Sequence, residues 1–188
     1  MTSDMIDLAL EVAAQAHRDQ VRKGTDIPYI SHPYAVGLML ARTGMADEVV
    51  AAGILHDTVE DTHVTLDDIR RLFGATVALI VEGCSEPEKS APWEERKAHT
   101  IEYLRTAPWE VRVVACADKL HNLRTIAAEH EKLGEAIWSR FKRGRPDQER
   151  YYRGLADSLC NTPEGQSEVP FCGAFREEVE RLFADDRR

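Results

Sequence analysis

Along most of this chain the apolar residues fall three and four positions apart, the spacing that gives a helix one buried face. Ile6, Leu10, Ala13 and His17 mark the first stripe, over 4–18, with Ser3 or Asp4 placed to cap it. The stretch RDQVRKGTDIPYISHP carries Gly24, Pro28 and Pro33 and predicts a loop. Pro33 has no N–H to leave unpaired, so it suits the first turn of a helix running through 34–43, which Gly44 ends. A more uniformly apolar helix is predicted at 46–59, and Thr65-Leu-Asp-Asp has the form of a capping box for 66–73. Residues 75–83 hold the β-branched content of a strand, but the helical neighbours favour a helix. The polar run at 84–92 predicts a connector. Helices follow at 93–106, 109–127, 131–142, 147–160 and 173–185, broken by Gly-Arg-Pro at 144–146 and by a loop with Pro163, Gly165 and Pro170. With no convincing pair of strands, the pattern predicts an all-α single domain over 1–188.

Composition narrows the partners more than the fold. The 188 residues are enough for one real core, and 43% apolar with 30% charged residues fits an ordinary globular protein. No run is long and apolar enough for a membrane span, and the N-terminal MTSDMIDLALEV carries acids where a secretion signal carries Lys or Arg. A cytoplasmic location is the resulting expectation. The net charge of −9 argues against nucleic acid, which needs a basic face, while leaving room for a small anion at a local basic cluster. Cys84, Cys116, Cys160 and Cys172 form no CxxC pair or zinc-finger spacing, and are read as buried or idle thiols. Nothing in the pattern fixes the oligomeric state.

The chemistry concentrates in ILHDTVEDT, 54–62. On a helix His56 lies beside Glu60, and Asp57 beside both Glu60 and Asp61, directly after the apolar run Val50–Leu55. Burying such charges unpaired is costly, and a divalent cation removes that cost. A helix surface that merely collects acids does not explain the His-Asp adjacency. Two further ligands must come from elsewhere. His32 precedes Pro33 at a loop-to-helix junction, although a His-Pro pair alone is also a common helix start. Asp118 ends the apolar run Val113–Ala117, and taken alone it reads equally as a salt bridge to Lys119 or Arg124.

Together His32, His56-Asp57 and Asp118 give H…HD…D, which resembles the HD-domain superfamily of metal-dependent phosphohydrolases. The likeness extends to AHRDQVRKGTDIPYISHPYAV, AAGILHDTVEDT, Phe73-Gly74 and ACADKLHNLRT, blocks that resemble the RelA/SpoT-type hydrolase domain in a stand-alone small alarmone hydrolase. It runs from about Ala9 to Arg124, which implies an HD-type bundle of about eight to ten helices. The motif-bearing core would lie at about 5–127 and a helical extension at about 128–188. The resemblance implies manganese on His32, His56, Asp57 and Asp118, and hydrolysis of the 3′-pyrophosphate of guanosine tetra- and pentaphosphate. It implies Glu60 and Asp61 as the pair that activates and positions water. Arg22, Lys23, Asn122 and a tyrosine, Tyr151 ahead of Tyr152, would contact the nucleotide.

Elementary chemistry agrees with that assignment. Mixed imidazole and carboxylate ligands suit manganese, with zinc or iron also compatible. Such an ion polarises a phosphoryl oxygen and acidifies water, and Glu60 can serve as base without being a ligand. Arg22 and Lys23 give an acidic protein a positive mouth, or else a solvated loop. The likeness fades after Arg124. The basic stretch 140–153 reads either as a wall for 5′-phosphates or as solvated surface, with the second favoured. Two competing functions remain: the same metal site acting on another nucleotide, such as the 2′-phosphate of NADPH or a nucleoside phosphate, and a sensor that binds without turnover. The intact Glu60-Asp61 pair speaks against the sensor. His17 and His121 are read as supporting residues rather than ligands.

Overall fold

α3 (Asp47–Leu55) is apolar on every side, with Val49 through Leu55 all buried, and a helix of that kind must be enclosed. In the computed structural model, which describes residues 4–86, 90–161 and 167–184, it is enclosed by α1 (Asp4–Ala16), α2 (Ser31–Arg42), α5 (Leu66–Cys84) and α7 (Trp109–Leu133). The very short α4 (Thr58–Asp61) follows α3, and α6 (Trp93–Thr106) precedes α7. A 3-10 helix (Gly134–Arg140), α8 (Arg145–Cys160) and α9 (Cys172–Phe183) complete the described chain, with α8 packed on α6 and α9. The described residues contain no strand, only a single bridge between Val21 and Pro28. The all-α, single-domain expectation holds.

Glycine sets the spacing at the heart of the bundle. A Cβ at Gly53 would lie 2.2 Å from Leu40 Cδ1, and one at Gly37 would lie 2.4 Å from Ile54 Cγ1. Bare backbone on both helices therefore lets α2 and α3 approach closely, which carries His32 and His56 to the same end of the bundle. α7 crosses beside them with Val111 through Asp118 buried without interruption.

Several boundaries differ from the sequence pattern, each for a local reason. The expected helix at 46–59 divides at His56-Asp57. There the His56 Nδ1–H donates to the Gly53 carbonyl at 2.8 Å, and the Thr58 hydroxyl donates to that of Leu55 at 2.6 Å. Side chains thus take carbonyls that a continuing helix would use. The segments 66–73 and 75–83 are, as expected, two helical stretches of α5, broken at Gly74, whose non-helical φ of 87° is open to glycine. Thr65 and Asp68 make the expected capping box. α7 runs on to Leu133 instead of stopping at 127, and a 3-10 helix stands where a helix at 131–142 was expected. Ser3, Pro163, Gly165 and the expected end of the last helix at residue 185 lie outside the described residues.

The reading of the cysteines as idle thiols is corrected in part. Packing of α8 on α9 brings Cys160 and Cys172 to a Cα–Cα distance of 5.3 Å, and they form a disulfide. Cys84 and Cys116 are free thiols. Burial pushes both thiols up, Cys116 to about 12, which keeps them protonated. In the basic stretch, Arg140 pairs with Glu129, Arg143 with Glu94, and Arg153 with Glu149 and Glu180, an ion-paired surface.

Candidate metal centre and cavity

His32 sits in the first turn of α2 and is fully buried; His56 caps the end of α3 and is 2% exposed. The Gly53 carbonyl can only accept, so the proton of a neutral His56 lies on Nδ1 and the lone pair on Nε2. His32 Nδ1 lies 2.8 Å from His121 Nδ1. When His32 donates in that bond, its Nε2 also presents a lone pair.

Both Nε2 atoms are buried without a hydrogen-bond partner, and both face the same two carboxylates. His32 Nε2 lies 3.1 Å from Asp118 Oδ1 and 3.7 Å from Asp57 Oδ2. His56 Nε2 lies 3.0 Å from Asp57 Oδ2 and 3.6 Å from Asp118 Oδ1. Two imidazole lone pairs and two carboxylates converging in a buried pocket suit a divalent first-row ion, and these residues fit one. The tightest subset is His32, His56 and Asp118, whose ligand atoms lie within 4.8 Å of one another. Asp57 closes the fourth side.

The electrostatics express the same frustration. Burial alone would lower the basicity of His56, but Asp57 and Asp118 outweigh it and hold the imidazole well above its ordinary value. For His32, desolvation wins and the value falls. Burial would raise Asp118, yet Lys119 and His56 hold it well below the carboxylate range. Asp57 is depressed too, with His56 outweighing burial.

Supporting groups fix the cluster. The Tyr29 hydroxyl donates to Asp57 Oδ2 at 2.5 Å. Asp118 Oδ1 accepts from Asn122 Nδ2 at 2.6 Å, and Asp118 Oδ2 pairs with Lys119 Nζ at 2.7 Å. Arg22 donates to Asn122 Oδ1 at 2.9 Å, which ties the Gly24 loop to α7. That loop turns through Gly24 at φ +76°, with the Arg140 side chain 3.1 Å from where a Cβ would stand. Glu60 Oε2 accepts from the Glu86 N–H at 3.1 Å, and Glu86 in turn pairs with Arg96 and Lys97. The Asp61 carbonyl accepts from Gln20 at 2.8 Å.

The cluster opens into a cavity of about 740 Å³, whose wall includes Glu60, Lys97, Lys119, Asn122 and Tyr151. Of the two adjacent tyrosines, Tyr151 faces this space, whereas Tyr152 packs toward Phe175 and Phe183. Arg22 reaches the wall only through Asn122 and over the Tyr29 ring, at 5.7 Å. Lys23 turns the other way, 5.2 Å over the ring of Phe141. Sequence reasoning missed Tyr29 and Lys97, and treated Lys119 only as a rival explanation for Asp118. Tyr29 lay in the PYI segment, but Lys97 sits in a charge-rich helix that offers no distinguishing signal.

Fold and centre together define a class: an all-helical protein with a buried pair of histidines and pair of aspartates suited to a divalent metal, beside a cavity wide enough for a nucleotide. The family model described as HD domain matches residues 9–145, and the chain belongs to that family. It is 44% identical over 128 residues to a GTP pyrophosphokinase of Streptomyces coelicolor, covering 66% of this chain but only 15% of that protein. With the human guanosine-3′,5′-bis(diphosphate) 3′-pyrophosphohydrolase MESH1 the identity is 42% over 121 residues, covering 63% of this chain and 67% of the relative. Among solved structures, a Listeria monocytogenes protein, lmo0812, superposes with TM-score 0.74 at 42% identity, over 83% of this chain and 96% of its own. A metazoan SpoT ortholog that hydrolyses ppGpp gives 0.77 at 26% identity, over 96% of both chains.

Proposed function

We propose that this protein hydrolyses the 3′-pyrophosphate of guanosine tetra- and pentaphosphate, releasing pyrophosphate, with manganese at His32, His56, Asp57 and Asp118. The observation that carries the reading is the pair of buried, unpartnered Nε2 atoms facing two carboxylates at the mouth of a cavity whose wall includes Lys97 and Lys119. The likeness to the human relative and to the ppGpp-hydrolysing SpoT ortholog supports the choice of substrate. A divalent ion bound there would supply a Lewis acid for a phosphoryl oxygen and acidify water.

The chain's own groups do the rest. Glu60, on the cavity wall, accepts the proton of the attacking water, and its hydrogen bond from the Glu86 N–H holds the carboxylate in place. Asp61 helps position that water. Water adds to the phosphorus attached to the 3′-oxygen, that P–O bond breaks, and the 3′-oxygen takes up a proton. Lys97 and Lys119 face the cavity and offset the charge of the phosphates. Tyr151 and Asn122 flank the nucleotide, and Arg22 approaches from the loop side through Asn122, whereas Lys23 lies over Phe141 and away from it.

A nucleotide panel assayed with manganese tests this reading. Pyrophosphate should appear in equal amount to GDP from guanosine tetraphosphate. Turnover of NADPH or a nucleoside phosphate with none of guanosine tetraphosphate would transfer the assignment to that substrate. Binding without turnover of any of them would make the protein a sensor.

A further inference from the structure

A second group of potential ligands lies on the far side of α7 from the histidine-aspartate centre. The sulfurs of Cys116, Cys160 and Cys172 all lie within 4.8 Å of one another. They come from three elements, α7, the last turn of α8 and the first of α9, with α9 packed on both of the others. Cys116 precedes Asp118 by two positions, and residues two apart on a helix do not share a face, so the two sites are distinct. Cys116 is fully buried while Cys160 and Cys172 are partly exposed, which gives the cluster a closed inner end and an entrance.

We infer that in the reduced protein Cys116, Cys160 and Cys172 form a trithiolate site for a thiophilic divalent cation of the zinc class, a site that the Cys160–Cys172 disulfide closes. Tetrahedral zinc with Zn–S bonds of about 2.3 Å sets its sulfurs roughly 3.8 Å apart, so side-chain rotation suffices to gather these three. Charge balance favours the site. Three thiolates and a dication leave one negative charge, and the buried guanidinium of Arg112 stands beside Cys116 to neutralise it. That guanidinium is anchored by its bond to the Leu159 carbonyl at 2.8 Å, one residue before Cys160. The partly exposed edge leaves the fourth position to water.

The chemistry has two steps. A phosphine or thiol reductant gives two electrons to the disulfide, yielding two thiols and the oxidised reductant. Three thiols then bind the cation and release three protons, with water as the fourth ligand.

The test uses the full chain, reduced with a phosphine, freed of it without air, and loaded with manganese at the other centre. Cadmium alone is then titrated, and bound metal and the near-ultraviolet thiolate-to-metal charge-transfer band are followed. One cadmium per chain should bind with a band that Cys84→Ser retains and that Cys116→Ser and Cys172→Ser each cut by about a third or more. Oxidised protein should give no band until reductant is added. Since Cys116 is buried and its variant can fail to fold, cadmium NMR of the wild type counts the sulfur ligands directly, and three are expected. Absence of the band, a two-sulfur signal, or a band that survives Cys116→Ser intact overturns the inference.

Discussion

The Tyr29 hydroxyl donates to Asp57 Oδ2 at 2.5 Å, and that same oxygen lies 3.0 Å from His56 Nε2. A carboxylate oxygen has two lone pairs, so one can accept from Tyr29 while the other faces the imidazoles. Burial, reinforced by the Asp57 charge, pushes the phenol well above its usual range, so it stays a donor at any working pH. Tyr29→Phe removes only this bond and keeps the ring, which packs 4.9 Å from that of His17. Two effects then oppose each other. Asp57 loses the partner that orients it, and its oxygen becomes a slightly better base. A hydrogen bond to a charged group contributes about 1.5–3 kcal/mol, and losing an orienting partner typically weakens metal affinity about 10–100-fold. The gain in basicity is smaller, because the Asp57 side chain is 18% exposed and water can replace the lost donor. Orientation therefore wins, and manganese affinity should fall roughly ten- to a hundred-fold while the fold is kept. Calorimetric titration with manganese, paired with a thermal melt of the metal-free protein, measures both. Wild-type affinity in a folded Tyr29→Phe protein refutes the claim that Tyr29 orients Asp57.

Other perturbations separate the remaining roles. Glu60→Gln should retain manganese and leave KM near wild type while lowering kcat about 10²–10⁴-fold, and an unchanged kcat removes Glu60 as the base. Arg22→Ala should keep its metal and raise KM for guanosine tetraphosphate roughly ten- to a hundred-fold, so an unaltered KM places the nucleotide elsewhere. Gly53→Ala sets a Cβ 2.2 Å from Leu40 Cδ1. Overpacking of that kind costs about 1–3 kcal/mol, a fall in Tm of roughly 2–12 °C for a chain of this size that a melting curve would expose. Manganese at about a thousand times its Kd should raise the Tm of chelator-stripped protein by roughly 8–16 °C, and no shift would disprove a site formed in the native state.

The histidine-aspartate cluster was legible because its chemistry leaves a mark on sequence. His56-Asp57 ends an apolar helix that has no reason to carry charge, and Asp118 stands among the buried residues of Val111–Leu120 in the middle of α7. Helix boundaries were less legible where side chains overrule periodicity. The division at His56-Asp57 depends on His56 and Thr58 bonding back to backbone carbonyls, whereas the break between 66–73 and 75–83 was legible, because glycine at 74 is free to take a non-helical φ of 87°. Contacts between distant segments left no local trace. Cys160 and Cys172 are joined only because α8 packs on α9, and Lys97 meets Glu86 only because α6 brings it back beside the residues that follow α5.

The charge balance of the centre shows why these supporting residues matter. Asp57 and Asp118 bring two negative charges into a buried space, and each is held ionised by a cation, Asp118 by Lys119 and Asp57 by His56. Those carboxylates also favour a proton on His56, so a metal ion bound there would have to replace it. With a dication in the proposed site, the centre would carry Lys119 and that ion against the same two carboxylates, a net positive charge. That surplus would lie beside a cavity whose wall bears Lys97, paired with Glu86, as well as the acids Glu60, Glu82 and Glu110, so the positive charge is concentrated at the centre itself. An anion with several phosphates neutralises it, and a neutral ligand of the same size does not. Lys119 is thus more than a rival explanation for Asp118. By pairing with Asp118 Oδ2 while Oδ1 faces the histidines, it keeps that carboxylate ionised and turned toward the proposed metal position, where its own charge would favour an anionic substrate.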